Sequence, residues 1–77
     1  MNAMRQQDIP RFVTAILEAG FDICAVGEAH YCISGEGEDP SSKERIASIC
    51  RSFGSRDHLL AEIVQYLRQQ GRWIGID

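Results

Sequence analysis

What this chain lacks narrows it first. No apolar run approaches the roughly 18–20 residues that cross a bilayer as a helix, and the opening MNAMRQQD holds no hydrophobic segment of the secretory type. Both absences point to the cytoplasm and away from a membrane. Cysteine is scarce and unpaired: Cys24, Cys32 and Cys50 are an odd set without CxxC spacing, whereas a small secreted scaffold carries an even set. They read as reduced thiols built into the fold. Positive charge is short as well. Eight Lys and Arg stand against eleven Asp and Glu, a net of −3, so the strong basic footprint of a nucleic-acid binder is missing. Also missing are a phosphate-binding glycine loop, a nucleophile elbow and an H-E-x-x-H helix. In 77 residues there is little room for both a core and a substrate cleft. The expectation is a chain that is not an enzyme and takes no cofactor.

What is present is ordinary for a globular domain. Hydrophobic residues make up 44% and charged ones 25%, enough for a packed core rather than disorder. The charge is unevenly spread. Residues 1–42 hold two arginines against seven carboxylates, a net of −5, and residues 43–77 six basic groups against four acids, a net of +2. There is no internal repeat, low-complexity tract or linker, so residues 8–77 read as one domain preceded by a flexible tail, residues 1–7.

The clearest element is RDHLLAEIVQYLRQQ, residues 56–70. Leu59, Leu60, Ile63, Val64, Tyr66 and Leu67 fall on one helical face, with His58, Glu62, Gln65 and Gln69 opposite. Ser55 is placed to cap it, and Gly71 to end it. A first helix is expected over Asp8–Ala19, with Asp8 as cap, Pro10 in the first turn and Ile9, Phe12, Val13, Ile16 and Leu17 on one face. Gly20 and Phe21 then close it in a Schellman-type turn. FDICAV (21–26) and HYCIS (30–34) read as strands joined in a hairpin by GEA. A second helix is expected over 42–53, with Ser41 and Glu44 as a capping box and Ile46, Ile49, Cys50 and Phe53 on its face. RWIGID (72–77) reads as a closing strand. The order is α-β-β-α-α-β: an α+β two-layer domain with a short antiparallel sheet and helices packed on one side. In its core Leu60, Ile63 and Leu67 are expected to meet Phe12, Ile16, Ile49 and Phe53.

Four groups of residues invite a functional reading. The helices over 42–70, joined at Phe53-Gly54-Ser55, have the glycine turn of a helix-turn-helix. Arg51, Arg56, His58, Arg68 and Arg72 would be its nucleic-acid contacts, in a homodimer. Asp57 and Glu62 on the would-be recognition face oppose phosphates, and an αα-hairpin serving only the core explains the same pattern. On the hairpin, a three-residue loop would bring Cys24 opposite Cys32 with Asp22 and His30 on the same side. Thiols and an imidazole suit zinc or a nucleophile, although two small residues on a sheet face account for them equally. Glu28, Glu36, Glu38 and Asp39 form an acidic, glycine-rich stretch without the ligand order of an EF-hand; such a cluster is either simply solvated or meets a basic partner. The His58–Glu62–Gln65–Gln69 stripe is the wet side of its helix, with His58 and Glu62 paired at i, i+4.

No motif here specifies an activity. The preferred expectation is a non-enzymatic accessory or regulatory domain that binds a protein through the acidic Glu28, Glu36, Glu38 and Asp39, in the manner of small modulators carried by phage or mobile elements. The helix-turn-helix stands second. A Cys24–His30–Cys32 metal site comes third.

Overall fold

The helices end where glycine lets them. The computed structural model describes residues 3–27, 29–34 and 40–74, and among them α1 runs Ile9–Glu18, α2 Pro40–Phe53 and α3 Leu60–Gln69. Gly20, Gly54 and Gly71 follow these helices at φ of 94°, 89° and 77°, a left-handed backbone that a Cβ disfavours. After α1 the Phe21 N–H donates to the Ile16 carbonyl at 3.2 Å and the Gly20 N–H to that of Leu17 at 3.0 Å. That pair of bonds is the Schellman turn expected there. α3 ends the same way: Arg72 N–H bonds the Leu67 carbonyl at 2.8 Å and Gly71 N–H that of Arg68 at 3.1 Å. A single bond, Gly54 N–H to the Cys50 carbonyl at 3.1 Å, closes α2.

The helix starts differ from expectation. α1 is preceded by a 3-10 turn, Gln6–Asp8, and Asp8 makes no side-chain cap to α1; its carboxylate instead accepts the Arg5 N–H at 3.4 Å. α2 begins at Pro40, so Ser41 lies within its first turn and Glu44 pairs with Arg51 at 2.9 Å. The expected capping box is not the start of this helix. α3 is likewise entered through a 3-10 turn, Asp57–Leu59. Ser55 is not its cap: the cap positions fall on Arg56 and Leu59 without a side-chain cap bond. Ser55 instead bridges Ala3 in parallel, its carbonyl accepting the Met4 N–H at 2.9 Å.

That bridge corrects the expected tail. Met4 is 1% exposed and belongs to the core, and the ring Nε2–H of His58 donates to its carbonyl at 3.0 Å. The described part of residues 1–7 is therefore packed against the α2–α3 connection. A lone apolar residue among polar neighbours has no periodicity to betray its burial.

Three strands make one sheet, β1 Asp22–Val26, β2 His30–Ser34 and β3 Trp73–Ile74, in the order β2-β1-β3. β1 and β2 form the expected hairpin, with Cys24 opposite Cys32 and Val26 opposite His30. β3 joins parallel to β1, Ala25 opposite Trp73 and Val26 opposite Ile74. The sheet is thus mixed rather than antiparallel throughout. The connection from β1 to β3 carries β2, α2 and α3, long enough to return the chain to the same end of the sheet, as a parallel pair requires.

The α+β class and the α-β-β-α-α-β order hold. The molecule measures 32 × 29 × 18 Å, and the thin axis is what one layer of helices on one layer of strands occupies. α1 and α3 lie on the sheet, and α2 packs beside α1. Ile23 and Ala25 of β1 point into this layer beside Phe12, Ile16, Ile63, Val64 and Leu67, all buried. Phe12 and Phe53 meet edge to face at 5.5 Å. Leu59 is buried where Leu60 was expected to be; Leu60, Ile49 and Phe53 sit half-buried at the margin of the core.

Candidate functional site

Strand alternation decides which side chains remain available. With Ile23 and Ala25 turned to the helices, Asp22, Cys24 and Val26 face the other way. Across the hairpin His30, Cys32 and Ser34 share that face, while the half-buried Tyr31 and Ile33 pack on the core. Parallel pairing places Ile74 beside Val26, and Arg72, two residues earlier, on the same side. No described helix covers this face. It is a patch of thiols, an imidazole, a hydroxyl, an ion pair and two aliphatic side chains.

Its electrostatics centre on Asp22. The carboxylate accepts the Ile23 N–H at 2.9 Å, the Arg72 guanidinium at 2.7 Å and the Cys24 thiol at 3.9 Å. The thiol of Cys24 holds its proton more tightly than usual. Burial is the main cause, followed by the negative charge of Asp22 and the nearby Cys32, with Arg72 pulling the other way. Cys24 is half-buried and Cys32 exposed, and both are free. The register anticipated for Asp22, Cys24, His30 and Cys32 is present, yet among the described residues no three Cys, His, Asp or Glu side chains converge on one metal position. His30 sits opposite Val26, two register positions beyond the thiols.

The backbone of β2 is the second feature of this region. The Ala25 N–H donates to the Arg72 carbonyl at 2.9 Å and the Gly27 N–H to that of Ile74 at 3.4 Å, so residues 25 and 27 serve β3. By alternation Cys24 and Val26 turn their peptide groups to β2, where Cys32 and His30 answer them. The peptide groups of Tyr31 and Ile33 therefore point outward. β2 is a five-residue edge strand, the longer of the two edges of the sheet among the described residues.

Glu28, Glu36, Glu38 and Asp39 lie outside the described residues; in sequence they bracket β2, one before it and three after. Each of the five side chains of the helix-turn-helix reading has a partner within the fold. Arg51 pairs with Glu44 at 2.9 Å, Arg72 with Asp22, and Arg68 stacks over the exposed Trp73 ring at 4.8 Å. His58 serves Met4 rather than pairing with Glu62. Arg56 is half-buried, 5.1 Å above the Phe12 ring, and donates to the Tyr31 hydroxyl at 3.1 Å and to the Cys50 and Gly54 carbonyls at 3.5 and 3.4 Å. Burial works against its charge, but the Tyr31 hydroxyl, with Cys50 and Asp57, more than offsets this and raises its pKa.

Sequence reasoning missed the Asp22–Arg72 pair, because 50 residues separate the partners. It also missed Arg45, which donates to the Ala19 carbonyl at the end of α1 and lies 5.1 Å over the Phe21 ring. The usable signal was the bare carbonyl end of α1, which attracts a cation.

Fold and patch together define a small one-sided α+β domain whose second sheet face and β2 edge are uncovered among the described residues. The chain belongs to the Y4lK family, whose model matches residues 7–75. It is similar to the uncharacterized protein y4lK of Sinorhizobium fredii, with 42% identity over 77 residues, covering 95% of this chain. The chain spans 58% of the length of that curated relative. No solved structure matches. No described helix is long and apolar enough to cross a membrane.

Proposed function

We propose that the chain is a non-enzymatic accessory or regulatory domain that binds a protein, and that the partner adds an extended basic segment to the open edge of β2. The observation that carries this reading is the outward set of the Tyr31 and Ile33 peptide groups along a five-residue edge. Strand addition takes its affinity from such main-chain groups and its specificity from the flanking side chains. Four carboxylates, Glu28 before the strand and Glu36, Glu38 and Asp39 after it, bracket that edge in sequence and favour lysine or arginine at both ends of the added segment. The cytoplasm suits the free thiol of Cys50 and the reduced form of Cys24 and Cys32.

The test is capture of a partner from the native host with the wild-type chain and two variants, read by mass spectrometry. Ile33→Pro removes an outward N–H without touching the β1–β2 ladder. The fourfold change of Glu28, Glu36, Glu38 and Asp39 to Lys reverses the flanking charge. Circular dichroism and a melt establish that each variant is folded. A protein retained by the wild type and lost from both folded variants supports the reading. One retained equally by all three refutes it, and a retained duplex DNA would move the helix-turn-helix into first place.

A further inference from the structure

The two thiols on the uncovered sheet face are directly opposed, Cys24 to Cys32. The hydrogen-bonding pattern of β1 makes this a hydrogen-bonded pair, for which Cα atoms stand about 5.5 Å apart. A disulfide spans roughly 4.4–6.8 Å between Cα atoms but only about 3.5–4.5 Å between Cβ atoms. The Cβ atoms of a hydrogen-bonded pair stand at the wide end of about 4.5–5.5 Å, so closing the bridge draws the two strands together and leaves it strained and readily reduced. Both side chains leave the same face, as alternation from Ile23 and Ala25 requires, and no described helix stands over them. The two are unequal: Cys32 is exposed and Cys24 half-buried against Asp22. The third thiol, Cys50, sits on α2, which packs beside α1.

We propose that Cys24 and Cys32 form a reversible dithiol–disulfide site, oxidised by a low-molecular-weight disulfide of the glutathione class. The exposed Cys32 thiolate attacks one sulfur of the oxidant. The oxidant's S–S bond breaks, a mixed disulfide forms on Cys32, and one small thiol leaves with a proton. Cys24 then gives up its proton and attacks the Cys32 sulfur, and the second small thiol leaves. Two electrons and two protons pass from the protein to the oxidant, and one S–S bond replaces another. Asp22, which holds the Cys24 proton, slows the second step, and Arg72, which binds Asp22, moderates that effect. The bridge joins the centres of β1 and β2 and removes both thiols from the open face. This inference is independent of any partner, since it rests on the hairpin register alone.

The experiment equilibrates the full chain in glutathione buffers of rising oxidised fraction, blocks remaining thiols with N-ethylmaleimide after an acid quench, and reads intact mass and a peptide map. The expected outcome is one transition to a monomer lighter by about 2 Da before blocking, for two hydrogens lost, with Cys50 still alkylated. Cys24→Ser should stop at the glutathione adduct on Cys32, which shows the order of the steps. Cys50→Ser should leave the transition where it was. Three alkylated cysteines at every buffer ratio would overturn the proposal, as would a bridge to Cys50, a disulfide-linked dimer, or a wild-type chain that accumulates the Cys32 adduct without closing the bridge.

Discussion

Arg56 shows how a residue's surroundings decide its role. As one of five basic groups near a helix-helix turn, it could be assigned to phosphate contact; in the fold its guanidinium lies over Phe12 and ties the Tyr31 hydroxyl to the carbonyls of the α2–α3 connection. Arg56→Ala removes the stacking and leaves these acceptors without their charged donor, at a cost of about 1–3 kcal/mol in a urea melt. Arg56→Lys recovers little of this, because an ammonium lacks the planar fork. Met4 makes the complementary case. It is an apolar residue in a polar stretch, fully buried and held by a backbone bond to Ser55 and a ring bond from His58. Met4→Ala should lower the unfolding free energy by about 2–3 kcal/mol, measured as a shift in urea midpoint with unchanged slope. A frayed tail would give no shift.

Among the elements, the parts legible in the sequence were those written in local rules. The apolar faces of α1 and α3, the glycine stops and the strand alternation of the hairpin each depend on residues within about five positions of one another. Gly71 carries such a rule, at φ 77° in the Schellman turn of α3. Gly71→Ala should cost about 1 kcal/mol in the same melt, although nothing lies within 4 Å of a Cβ built there. What the sequence did not disclose depends on distant partners. The parallel seat of β3 follows from where α3 delivers the chain. The bridge of Ser55 to the N-terminal segment joins it to Met4, 51 positions away. The register of Cys24 with Cys32 was readable from the three-residue loop. The fact that their face is uncovered was not, since coverage depends on where all three helices come to rest. The partners that engage Arg51, Arg56, Arg68 and Arg72 were hidden for the same reason.

Over the whole molecule, one layer of helices covers one side of a three-stranded sheet, and among the described residues the other side and the β2 edge carry no helix. Charge sorts the partners that could use them. If Arg51, Arg56, Arg68 and Arg72 met phosphates together, about −0.9 per contact would give a log–log salt slope near −3.6. Each of the four is engaged within the fold, and the chain is negative overall. Fluorescence anisotropy on random and host-genomic duplexes should therefore detect no binding, even at low ionic strength. A sub-micromolar Kd with a slope of about −3 or steeper would restore the helix-turn-helix. The claim that a protein strand docks on β2 rests on two outward peptide groups, so the most direct measurement is amide hydrogen exchange at Tyr31 and Ile33 by NMR, in the free chain and in its complex with the captured partner. The account predicts fast exchange at both in the free chain, against slow exchange at the ladder positions His30 and Cys32, and strong protection of Tyr31 and Ile33 in the complex. Unchanged fast exchange of both amides in the complex would contradict it.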